Sequence, residues 1–194
     1  MRAFLASKHA KEDASLLQMM AGQPLNFTPD FIRQPVEEVD YGVDFRPGEV
    51  VKKFESDGLV LLDPSFRYLV QGAGRIAISG KTKVDSYIAN RKTSGSLITA
   101  TFGNHYCFSM YTMLALVVAS LSKQINGTPG MLSVSGDTNA FYFFDESRFM
   151  ECFATLTRPL GNGKWEACIQ EADDEDEGEW AEDTKIHLLY LSDI

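Results

Sequence analysis

The sequence predicts an α+β fold: a mostly antiparallel sheet packed on one long buried helix at about 108–124, with an irregular N-terminal arm. Three observations predict it. Met110, Met113, Leu114, Val117, Val118 and Leu121 recur at three- and four-residue intervals, and Lys123 is the one charge between Phe108 and Gln124, so this helix is mostly buried. Short β-leaning runs separated by turn residues lie on both sides of it. Four of the seven prolines (Pro24, Pro29, Pro35 and Pro47) fall before residue 48, where each removes an amide donor and restricts its neighbour.

The elements are taken in chain order. Asp13–Met20 can form a helical turn or two with Asp13 as cap. Residues 1–47 read as an extended arm with short helical turns, one of them starting at Thr28-Pro29. Its apolar residues Leu25, Phe27, Phe31, Ile32, Val36 and Val39 suit packing against the domain or a neighbouring subunit. Residues 48–194 read as a single α+β domain. A helix opens at Arg46-Pro47-Gly48-Glu49, turns Val50, Val51 and Phe54 inward and closes at Asp57-Gly58. Strands are predicted at Leu59–Leu62, Phe66–Gln71, Arg75–Ser79 and Leu97–Phe102. Gly72-Ala73-Gly74 and Ser79-Gly80-Lys81 serve as tight links. Lys83–Asn90 fits a helix as well as a strand.

After the long helix, Asn126-Gly127-Thr128-Pro129-Gly130 stops the chain, and strands are predicted at Met131–Ser135 and Ala140–Phe144. Asp145 is placed to cap a second helix carrying Phe149, Met150, Phe153 and Leu156. The last unit reads as a hairpin of Lys164–Gln170 with Lys185–Leu191, its loop an acidic tract at 171–183.

Composition bounds the function. The 194 residues fit one domain, and 44% hydrophobic residues with 13 Phe exclude a wholly disordered chain. No apolar run approaches the roughly 18 residues that a membrane span requires, and the opening MRAFLASKHAKEDASLL does not read as a secretory signal. Three widely spaced cysteines (Cys107, Cys152 and Cys168) fit a reducing, cytoplasmic compartment rather than a disulfide framework.

Charge is segregated. Nine of the 27 acids lie between Glu171 and Asp183, and removing them leaves 18 acids against 18 bases, so the net −9 resides in that tract. Its members Asp173, Asp174, Glu175, Asp176, Glu177, Glu179, Glu182 and Asp183 surround Trp180, an aromatic suited to contact a partner. The tract fails as a calcium loop, because Thr184 stands where a bidentate Glu is needed. In the middle of the chain Arg67, Arg75, Lys81, Lys83, Arg91 and Lys92 are opposed by Asp85 alone. Interleaved with Phe66, Tyr68 and Tyr87, they form the pattern of a single-stranded nucleic-acid surface. A pI near 4.8 favours a solvated strand face instead, or a basic face that meets the acidic loop of a neighbouring subunit.

Cys107 precedes the long helix, and a helix start lowers a thiol pKa. A cysteine hydrolase with Cys107 as nucleophile and His187 as base, oriented by Asp137, Asn139 or Asp193, is therefore the enzymatic alternative. The flanking sequence GNHYCFSM carries no hydrolase signature and favours an inert core thiol. His105 and Cys107 lack zinc spacing, and Gly72-Ala73-Gly74 and Gly80-Lys81-Thr82 lack the rest of a nucleotide-binding motif, so neither metal nor cofactor is expected.

The sequence thus favours a non-enzymatic protein-interaction module of the inhibitor, immunity, anti-defence or viral assembly kind. Its acidic loop and N-terminal arm would be the contact elements, its partner a protein with a basic surface, with self-association as a further expectation.

Overall fold

Phe141-Tyr142-Phe143-Phe144 builds the middle of the sheet, because large aromatic side chains fit a pleated surface and alternate between its faces. The computed structural model describes residues 30–40, 43–78, 81–172 and 180–190. Their strands are β1 (Phe31–Arg33), β2 (Glu37–Asp40), β3 (Val43–Phe45), β4 (Val60–Leu62), β5 (Ile76–Ile78), β6 (Lys81–Ala89), β7 (Phe108–Ser109), β8 (Thr138–Asp145), β9 (Met150–Thr157), β10 (Trp165–Glu171) and β11 (Lys185–Leu189). Their helices are α1 (Pro47–Ser56), α2 (Pro64–Gly72), α3 (Gly95–Phe102) and α4 (Met110–Gln124).

Nine strands form one sheet in the order β1-β6-β11-β8-β9-β10-β4, with β2 also on β6 and β7 also on β8. Strands β3 and β5 pair separately. Side-chain alternation divides the core in two. Phe141 and Phe143 of β8 join Met113, Leu114 and Val117 of α4, Phe54 of α1 and Phe66 and Val70 of α2 on one face. Ala140 and Tyr142 join Ile186 and Leu188 of β11 and Ile98 and Phe102 of α3 on the other.

The α+β class holds, but two finer expectations are corrected. The sheet is mixed rather than mostly antiparallel, since β10–β4, β11–β8 and β7–β8 run parallel. Among the described residues four helices, not one, pack on it. Phe66–Gln71 is helical because Asp63 accepts the Ser65 amide at 2.9 Å, Pro64 takes the first turn, and Phe66, Leu69 and Val70 face the core together. Leu97–Phe102 is helical because Ser94 caps the Leu97 amide and Ile98 and Phe102 stand one turn apart. Gly72-Ala73-Gly74 therefore leaves a helix rather than joining two strands.

Further boundaries move. The long helix begins at Met110, capped by Ser109, and Phe108 belongs to a two-residue strand. Residues 131–135 form bends rather than a strand, pinned by Gln124 on the Leu132 amide and by Asn139 on the Ser133 amide. Lys81–Ala89 resolves as strand. The helix expected after Asp145 is strand β9, whose Phe153 and Leu156 point to opposite faces. Strands β10 and β11 do not form a hairpin, because β8 and β9 lie between them.

Of the arm, β1 and β2 lie on the edge of its own sheet, both pairing with β6 and interrupted at the exposed Pro35, while β3 pairs with β5. The turns expected at Asp13–Met20 and Thr28-Pro29 lie outside the described residues.

Candidate interaction site around the acidic crossover

Because β10 and β11 are not neighbours, the acidic tract is a crossover connection. Strand β10 ends at Glu171, opposite Cys152 of β9, and β11 begins at Lys185, opposite Asn139 of β8. Strands β8 and β9 lie between the two, and the described residues Ala172 and Trp180 of the connection pack on the face that carries α3.

The described residues hold this crossover at both ends. At its start the Ala172 amide donates to the Glu151 carbonyl at 3.0 Å and the side chain is buried among Ile98, Phe102 and Phe153. Gly95 makes that approach possible: a Cβ there would stand 2.6 Å from the Ala172 carbonyl oxygen. At its end Trp180 and Thr93 exchange two backbone hydrogen bonds, at 2.7 and 3.1 Å. The indole meets Phe153 edge-on, centroids 4.9 Å apart, and its N–H donates to Gln170 Oε1 at 2.8 Å. Trp180 is therefore an anchor of the crossover as well as a member of the tract.

Asp173, Asp174, Glu175, Asp176, Glu177 and Glu179 lie outside the described residues. Glu182 and Asp183 are exposed, Asp183 with a left-handed φ of 68°, after which its amide rejoins the sheet at the Ala89 carbonyl.

The β8–β9 hairpin closes the same end of the sheet from which the crossover departs. Asp145 is buried and accepts from the Ser147 amide, the Ser147 hydroxyl and Arg148 Nε at 2.9, 2.6 and 2.8 Å. Burial raises its pKa, but these bonds outweigh burial and hold the carboxyl below its usual range. Arg148 also reaches Glu171 at 3.1 Å, tying the hairpin tip to the root of the crossover. Phe149, expected in the core of a helix, is instead 84% exposed at the tip with φ 55°. The sequence signal that could have found this is Asp145-Glu146-Ser147, an Asp with a Ser two residues on, which closes a turn as readily as it starts a helix.

The hydrolase pair is not assembled. Cys107 packs with Tyr142 on the α3 face, whereas the His187 ring stacks on Phe141, centroids 4.4 Å apart, on the α4 face. Burial pushes the Cys107 thiol up to about 12 despite its hydrogen bond with Tyr142, and no helix starts at it. His187 is fully buried with Nδ1 3.0 Å from Ser86 Oγ, and burial, helped by Lys185, holds it well below 6.5. The proposed orienting groups serve local structure: Asp137 accepts from Ser133 and Ser135, and Asn139 bridges Ser133 and Leu156. Asp193 lies outside the described residues.

The basic segment is dispersed and its charges are engaged. Arg67 on α2 pairs with Glu55 at 2.7 Å, Lys81 with Glu38 at 2.9 Å and Arg91 with Asp30 at 2.6 Å, while Lys83 lies over the Tyr190 ring. Arg75 and Lys92 have partners as well. Of the interleaved aromatics, Phe66 and Tyr87 are buried and Tyr68 alone projects into solvent. This is not a face of stacked rings and free cations. Among the described residues no group of three His, Cys, Asp or Glu side chains is placed to hold a metal ion, and no helix is long and apolar enough to cross a membrane.

Comparison of the chain with protein-family models, with curated proteins and with solved structures finds no match.

Proposed function

We propose that this protein is a non-enzymatic interaction module that engages a basic protein surface through its acidic crossover. One observation carries the reading: the tract is tied to the body on both sides, by Ala172 against Gly95 and by Trp180 against Thr93, Phe153 and Gln170. Between these anchors the sequence places six acids and no base. A concentration of one sign of charge at a fixed place on a fold steers an oppositely charged partner and raises its association rate.

The test uses an all-lysine peptide as the probe and stopped-flow association as the readout. The triple variant Asp174→Asn, Glu175→Gln, Asp176→Asn is compared with Glu49→Gln, Asp57→Asn, Glu166→Gln, which removes the same charge from exposed positions elsewhere. The reading expects slower association and a shallower salt dependence in the first variant and near wild-type behaviour in the second. Equal effects in the two would reduce the tract to bulk charge and sink the reading.

A further inference from the structure

Strand β1 ends the large sheet and rests on few contacts. It is three residues long, and Phe31 and Arg33 turn toward the α3 face while Ile32 stands exposed. Arg33 lies opposite Tyr87 and Glu37 opposite Val84, so four steps along the arm match three along β6. The extra residue falls at the exposed pair Pro35-Val36, where a bulge and a proline without an amide uncouple β1 from β2. What β1 places on β6 is nonetheless specific. The Phe31 ring is buried against Phe102, centroids 5.3 Å apart, beside Tyr87 and Ala89 of β6. Two positions on, Arg33 Nε and Nη2 donate to the two carboxylate oxygens of Asp85 at 2.9 and 2.8 Å. Asp85 is only 4% exposed, so removing the guanidinium would leave a buried charge uncompensated. The Gln34 amide donates to the Ser86 carbonyl at 2.7 Å, and the Asn90 amide to the Asp30 carbonyl at 3.0 Å.

We propose that the edge of β6 is a strand-receiving site which β1 fills in cis, and that its occupant in trans is an extended segment of a partner protein carrying an aromatic residue and, two positions on, an arginine. Main-chain partners with sockets at alternate positions are how a sheet edge reads a peptide. Charge complementarity and spacing select this occupant. Asp85 accepts two bonds in fork geometry, which a guanidinium supplies and an ammonium does not. The period of a strand then puts the ring two places away, on the same face, where Phe102 and Tyr87 receive it. Exchange is open to β1 because little else holds it: one buried apolar side chain, the Arg33–Asp85 pair, and the Asp30–Arg91 pair, whose guanidinium is exposed and screened by salt. The charges of the acidic crossover take no part in this site.

The experiment measures fluorescence anisotropy of two labelled peptides against the full chain: DFIRQPV, the sequence of residues 30–36, and the same peptide with citrulline in place of arginine. Wild type should hold the arginine peptide about tenfold more tightly than the citrulline one, the factor carried by a charge-assisted bidentate pair. Because β1 competes for the groove, Phe31→Ala and Arg33→Ala in the chain weaken the occupant in cis. Each should therefore tighten the arginine peptide about tenfold, by raising the fraction of chains whose groove is open. Asp85→Asn keeps the shape of the side chain and should abolish the preference for arginine over citrulline. Its binding of the citrulline peptide should be at least as tight as that of wild type, which separates a lost ion pair from a damaged fold. The wild-type comparison stands even if a variant fails to fold. Absence of binding, equal wild-type affinity for the two peptides, or peptide binding that is unchanged or weaker in the folded Phe31 and Arg33 variants overturns the proposal. A mass doubled by self-association and restored to that of a single chain by Asp85→Asn makes a second copy the occupant and overturns the choice of partner.

Discussion

Trp180→Ala is the perturbation that most directly probes how the crossover is held. The indole is partly buried, in edge-on contact with Phe153 and hydrogen-bonded to Gln170. Covering about half of a tryptophan's roughly 200 Å² at 25 cal/mol per Å² corresponds to about 2.5 kcal/mol. The aromatic pair adds about 0.5–1 kcal/mol and the hydrogen bond about 1 kcal/mol. An extended unfolded chain overstates the area term, so the expected loss is about 3 kcal/mol. Trp180→Phe keeps a ring against Phe153 and leaves Gln170 Oε1 without its donor, so its loss should be about 1 kcal/mol. Urea unfolding followed by far-ultraviolet circular dichroism measures both without relying on the fluorophore being removed. A loss under about 1 kcal/mol for the alanine variant, or equal losses in the two variants, would refute the anchor.

Two further outcomes are expected. His187 is buried neutral with its pKa below the unfolded value of 6.5, so the unfolded chain binds the extra proton; stability should be complete above about pH 6.5 and fall below it by up to about 1.4 kcal/mol per pH unit. Equilibrium unfolding from pH 7.5 to 5 checks this, and His187→Phe, which keeps a ring on Phe141, should flatten that part of the profile. Cys107, its thiol pushed up to about 12, should react with iodoacetamide at pH 7.5 more slowly than a free cysteine; rapid, selective labelling read by mass spectrometry would refute its inert placement.

The elements legible in the sequence are those whose signal is long or doubly marked. Helix α4 repeats its apolar spacing over four turns, and α1 carries both Pro47 at its start and Gly58, with φ 67°, just past its end. Helices α2 and α3 are short, and their β-branched and aromatic residues favour strands locally, so composition outweighed the caps at Asp63-Pro64 and Ser94. Asp145 misleads for a sharper reason. A carboxylate accepting the amide two residues ahead begins a helix and a tight turn with the same hydrogen bond, and only the path of the chain beyond Ser147 distinguishes them. The partner of β11 was not legible at all. A strand that alternates Ile186, His187 and Leu188 looks the same beside β10 as between β6 and β8, and tertiary packing alone makes the choice.

That choice decides what the acidic residues can do. In a hairpin they would ride on one turn between adjacent strands, and their repulsion would bear directly on the pairing that holds the turn. In the crossover the holding contacts are apolar and backbone groups: Ala172 on Gly95, Trp180 on Phe153, the Thr93–Trp180 bridge. At its root the Arg148–Glu171 ion pair adds one charged contact. Outside the tract the formal charge is balanced, 18 acids to 18 bases. Repulsion among exposed carboxylates is screened over roughly 8 Å at physiological salt, whereas burial of Trp180 and Ala172 is largely indifferent to salt. Salt and acid-to-amide substitutions should therefore act on association, and anchor substitutions on stability. The two sets of residues are separable by experiment because the contacts described at Ala172 and Trp180 are apolar and backbone ones, which salt does not screen.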